Sequence, residues 1–133
     1  MRGRTTSIGI LLLALAGCST EDPGPQAGDC FVDPPRQVDS TPTVDCAEAV
    51  YELVAVSDLA DEGAFPGREA LSSLAFDRCS MAVEEYTGVE LVTSDYDLWF
   101  HHPDEASWSS GNRQFVCAVT RVDGQPLGGS VAG

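Results

Sequence analysis

Apolar positions fall into separate stretches along the chain, each with its own spacing. Residues 8–16 form an unbroken apolar run behind the basic start Met1-Arg2-Gly3-Arg4. Residues 28–32 and 44–46 are short extended segments, and Pro34, Pro35 and Pro42 break the chain between them. Residues 51–58 alternate only partly, and their near-continuous apolar content predicts a central strand. After a loop around Phe65-Pro66-Gly67, positions Leu71, Leu74, Ala75, Cys79, Ala82, Val83 and Tyr86 recur at three- and four-residue steps. This spacing predicts one apolar stripe on a helix over 68–86, with Gly88 as its stop signal. Residues 95–102 predict a strand. Pro103 at the first helical position, followed by Asp104 and Glu105, predicts a short helix to Trp108. Residues 113–120 predict a further strong strand, with a turn at Val122-Asp123-Gly124. The Gly-rich tail 127–133 is expected to pair briefly or fray. This order predicts an α+β domain: a small antiparallel sheet of about four to five strands with one long helix on one face.

The first apolar run changes the picture of where the domain works. Spanning a bilayer takes roughly 20 apolar residues, and this run is too short. Its length and flanks suit a secretory leader over residues 1–17. The run ends in Leu15-Ala16-Gly17-Cys18, which resembles the lipobox of bacterial lipoproteins. In such a box the small residues fit a peptidase, and the thiol carries the lipid. The expectation is that Cys18 is acylated and becomes the mature N-terminus, because more than one acyl chain gives stable anchoring. Residues 18–28 are polar and rich in Pro and Gly, so they read as a flexible tether. Ten such residues reach on the order of 17 Å. The folded domain is expected over 29–133, near the extracytoplasmic face of the cell membrane.

Charge and cysteines refine this. The chain carries 21 acidic residues against seven arginines, with no lysine. All the acids follow the leader, which removes two arginines, so the mature charge is about −16. That surface repels nucleic acid and anionic head groups. Apart from Cys18 there are four cysteines: Cys30, Cys46, Cys79 and Cys117. An even number in an exported domain reads as two disulfides. Of the three pairings, Cys30–Cys46, closing a local loop, and Cys79–Cys117, tying the helix to a late strand, are preferred. The absence of any Cys-x-x-Cys pair argues against a zinc site.

Chemistry is sparse. His101 and His102 are the only histidines. As neighbours on a strand they point to opposite faces and cannot readily chelate one ion. Asp95 and Asp97 would share a face, an arrangement that can bind a cation or do acid–base work. Among so many carboxylates such pairs are expected by chance. No phosphate-binding loop, EF-hand or nucleophile elbow is present, and the serines have no base that the sequence identifies. Trp99 and Trp108 are candidate interaction anchors, and Trp108, set among serines, is the better one.

Taken together, Gly28-Asp29-Cys30-Phe31, Val44-Asp45-Cys46 and Tyr51-Glu52-Leu53-Val54-Ala55 resemble the septum formation-related domain family of actinobacterial envelope proteins. The likeness runs on through Phe65-Pro66-Gly67, Cys79, Tyr96-Asp97-Leu98, Pro103, Trp108 and Val116-Cys117. The chain departs from the family at Ala49-Val50, where a Pro-His pair is usual. The resemblance implies a role in the envelope, linked to septum formation, and brings no catalytic activity or cofactor. The expectation is therefore a non-enzymatic, membrane-anchored interaction or structural module, meeting the bilayer through Cys18 and envelope or division proteins through its surface. The alternatives are a metal- or small-ligand-binding domain, or a hydrolase using Asp95, Asp97 and His101.

Overall fold

A computed structural model describes residues 24–60 and 63–133. The leader, Cys18 and the first part of the expected tether lie outside the described residues. Four strands form one antiparallel sheet: β1 (Cys30–Phe31), β2 (Tyr51–Asp58), β3 (Tyr96–His101) and β4 (Gln114–Arg121). Their order is β1-β2-β4-β3, so β2 and β4 are central. This is the expected α+β architecture, with the near-continuous apolar runs in the middle of the sheet. Pairing places Leu53 opposite Ala118 and Ala55 opposite Cys117, so β2 carries a bulge between them. The bulge explains the broken alternation of β2.

The long helix α1 (Arg68–Thr87) buries Leu71, Ala75, Cys79, Val83 and Thr87. These lie four residues apart and form the stripe that faces the sheet. Gly88 ends the helix in the left-handed conformation that favours glycine, and its N–H bonds Glu84 O. Phe76 and Met81, off the stripe, are exposed. Val83 packs with Val54, Val119 and Val131, while Leu71 and Ala75 pack with Trp108 and Phe115. Burying a side chain of this size contributes about 1.5–3 kcal/mol. The Cys79–Cys117 disulfide then fixes α1 to β4 across this interface.

The second face of the sheet is also covered. Val38, from the proline-rich segment after β1, packs on Phe31, Leu53 and Val116. Cys30–Cys46 closes that segment into a loop, and Val44 N–H bonds Cys30 O. The first disulfide thus clamps a loop that acts as a third layer. Both preferred pairings are present.

Three local expectations are corrected. The sequence reads residues 18–28 as tether throughout, yet Gln26 N–H bonds the Asp29 carboxylate and Gly28 N–H bonds Leu53 O. The last residues of the expected tether are therefore held against the domain, ahead of β1. Pro103 precedes the short helix α2 (Glu105–Ser109), and Asp104 caps it, its carboxylate accepting Ser107 N–H at 2.7 Å. The tail neither frays nor joins the sheet. Val131 is buried, Leu127 N–H bonds Ala49 O and Gly133 N–H bonds Tyr86 O.

Candidate functional site

The sequence-derived candidates separate once folded. Asp95 and Asp97 are both exposed. Asp97 Oδ1 accepts the N–H of Leu98 at 2.8 Å, and Ser94 Oγ accepts that of Tyr96 at 3.2 Å. Side chains thereby satisfy two backbone donors of edge strand β3, a device that discourages strand addition. His101 is half-buried and stacks on Trp99, with ring centroids 6.3 Å apart. Burial, followed by the nearby His102 and Arg36, holds its pKa below the ordinary value. Asp95, Asp97 and His101 do not converge on a point. Among the described residues the metal-type grouping is instead Cys30, Cys46 and Glu52. Its two sulfurs are bonded to each other, so no thiolate is present there to act as a ligand.

Trp108 corrects a further expectation. It is 3% exposed and belongs to the core. Its Nε1–H donates to Gly63 O at 2.9 Å, Phe65 meets it edge-on, and the Arg113 guanidinium lies 3.7 Å from its ring centroid. The serines around it occupy the outer side of α2, which misled the reading of its local sequence. Trp99 is half-buried on the opposite face, edge-on to Tyr51 at 5.8 Å. Tyr51, Trp99 and His101 make a short aromatic row there.

A different cluster forms where the start of α1 meets the end of β3. A cavity of about 360 Å³, with a mainly apolar surface, is lined by Phe65, Arg68, His102, Asp104 and Glu105. His102 Nδ1 lies 2.9 Å from Pro103 O, and its Nε2 lies 2.9 Å from Ser72 Oγ. A carbonyl can only accept, so Nδ1 carries a proton. In the tautomer protonated at Nδ1 alone, Nε2 is the acceptor and the Ser72 hydroxyl donates to it. Ser72 stands one helical turn after Arg68, on the same face of α1. Phe100 stacks behind the imidazole at 6.5 Å. Asp104 is held below the usual carboxylate range, first by its bond from Ser107 N–H, and so stays ionised at the rim. Thirty residues separate Ser72 from His102, and no periodicity links them. Only the packing of α1 against β3 reveals the pair.

Glu52 is the second feature hidden from the sequence. It is fully buried on β2. Oε1 accepts from Tyr86 Oη and Ser130 Oγ, and Oε2 accepts from Val131 N, all at 2.7 Å. A strand glutamate normally reads as solvent-facing. Here it is enclosed by α1 and the docked tail.

A protein-family model described as "Septum formation" matches residues 16–125, most of the chain. The chain belongs to this septum formation family. Membership confirms the resemblance drawn from the cysteine and strand motifs and ties the chain to the septum-forming envelope. The match begins two residues before Cys18 and extends through β4 to the turn at Asp123-Gly124. No curated protein and no solved structure matches the chain. Among the described residues, no helix of this septum-family fold is long and apolar enough to cross a membrane.

Proposed function

We propose that this septum-family chain is an extracytoplasmic module of the cell envelope, held to the bilayer through acylated Cys18, and that it works by binding envelope or division proteins. The observation that carries the reading is the family match, which takes in Ala16, Gly17 and Cys18 of the lipobox-like run. The two disulfides and the short leader also fit an exported domain. The role supported is binding rather than chemistry at Asp95, Asp97 and His101, because folding does not bring those three groups together. With Trp108 committed to the core, the half-buried row of Tyr51, Trp99 and His101 is the surface this reading assigns to a partner.

Two measurements test it. Cells fed an alkynyl fatty acid should label the wild-type chain, and Cys18→Ser should abolish labelling and release the domain from membranes. Wild-type fusions should concentrate at the division septum, and Trp99→Ala, which also removes packing on Tyr51, should reduce that recruitment at a temperature where circular dichroism shows the variant folded. An unlabelled wild-type chain, or uniform distribution of the wild type, would overturn the anchor or the septal role respectively.

A further inference from the structure

We propose that Ser72 is a nucleophile for acyl transfer, with His102 as its base and the adjoining cavity as the acyl pocket. This goes beyond the envelope reading and does not rest on it. The geometry has three parts that such chemistry requires. The nucleophile is hydrogen-bonded to its base, at 2.9 Å between Ser72 Oγ and His102 Nε2. The base is oriented by a third group, here the Pro103 carbonyl at 2.9 Å from Nδ1, which fixes the tautomer as an aspartate does in a catalytic triad. His102 lines a cavity of about 360 Å³ whose wall combines Phe65 with a cation, Arg68, one helical turn before Ser72 on α1. Pro103 is fully buried, so the orienting carbonyl is held by the core.

The reaction follows from these positions. Ser72 Oγ attacks the carbonyl carbon of an ester while its proton passes to His102 Nε2. The proposal assigns stabilisation of the tetrahedral oxyanion to Arg68, the cation in the cavity wall. The bond to the leaving oxygen breaks, and His102 returns the proton to that oxygen, releasing an alcohol. Water then gives a proton to His102 and its hydroxyl to the acyl carbon. Ser72 Oγ departs and recovers the proton. The net change is ester plus water to carboxylic acid plus alcohol. Phe65 and the apolar wall suit a short aliphatic acyl group. Asp104 and Glu105 on the same wall disfavour an anionic leaving group and favour a neutral or cationic one.

The competing role for the pair is to tie α1 to the end of β3, and the test separates the two. The full chain, in detergent and with its disulfides intact, is treated with an alkyl fluorophosphonate. An O–P bond then forms at the nucleophile as fluoride leaves. Peptide mapping should place one phosphonyl group on Ser72, and Ser72→Ala should remove it. His102→Gln, whose side-chain oxygen still accepts the serine proton hydrogen bond but cannot take the proton, should slow labelling by about a hundredfold. Circular dichroism and Tm establish that each variant is folded. Mapping on the wild-type chain decides the matter even where a variant is not. An unlabelled wild type, labelling at another residue, or labelling in folded His102→Gln at the wild-type rate would overturn the proposal. Lipid labelling at Cys18 would be untouched by any of these results.

Discussion

Glu52 shows how a single residue can hold distant parts of the chain together. Its carboxylate accepts from the Tyr86 hydroxyl at the end of α1 and from Ser130 and Val131 in the tail. Glu52→Ala leaves the buried Val131 N–H without its acceptor. It should cost about 3 kcal/mol, since bonds to charged groups contribute about 1.5–3 kcal/mol each and an orphaned donor adds its own penalty. Glu52→Gln should cost far less. A flipped amide can accept from Val131 N–H and donate to both hydroxyls, which rotate to receive it. Urea midpoints of the two variants check this, and equal losses would refute the hydrogen-bonding account. The same site affects Tyr86, whose pKa rises to about 12 through burial first and then the bond and charge of Glu52. The folded state disfavours the phenolate, so this contribution to stability is intact below pH 10 and lost as pH rises from 10 towards 12. Absorbance titration of the three tyrosines should show one ionising near pH 12, shifted downwards in Glu52→Gln and absent in Tyr86→Phe.

Among the elements, the two disulfides do different work, because their loops differ in length and in what they hold. Cys79–Cys117 spans 38 residues and joins a helix to a strand, while Cys30–Cys46 spans 16 and closes the loop carrying Val38. Loop-closure entropy puts their contributions at about 4 and about 3 kcal/mol. Replacing Cys79 and Cys117 by alanine should therefore lower stability more than replacing Cys30 and Cys46. The second pair should in addition loosen Val38, seen as faster amide exchange at Leu53 and Val116. The elements legible in the sequence were those with a dominant period. The stripe of α1 is buried along the helix, and the apolar runs of β2 and β4 are buried through their middle residues. The loop layer under Val38 and the docking of Val131 were not legible, because each rests on a few long-range contacts made by irregular chain. Trp108 was misread for a related reason: its serine neighbours describe one side of a five-residue helix, and its ring lies on the other. Ser72 and His102 meet only because α1 crosses β3, so local pattern could not pair them.

For the molecule as a whole, charge is the dominant unbalanced quantity. A formal net charge of −14 sits on a chain in which the ion pair found among the described residues joins Arg121 and Asp123, both partly exposed. Such a surface pair contributes at most about 1 kcal/mol, whereas like charges on a compact body repel throughout it. Added salt therefore weakens one small attraction and many repulsions. The Debye length falls from about 30 Å at 0.01 M to about 10 Å at 0.1 M and about 3 Å at 1 M, so repulsion across the domain is screened first. Tm should rise by several degrees between low salt and about 0.5 M sodium chloride, and scanning calorimetry measures it. Repulsion and specific binding predict different ion dependence. If repulsion governs, sodium, tetramethylammonium and calcium chlorides at matched ionic strength should give the same rise. An extra rise confined to calcium or zinc would point to a cation site instead and revive the metal-binding alternative. If Tm fell with sodium chloride, attraction would outweigh repulsion in the folded state, and the account of a domain dominated by its own like charges would fail.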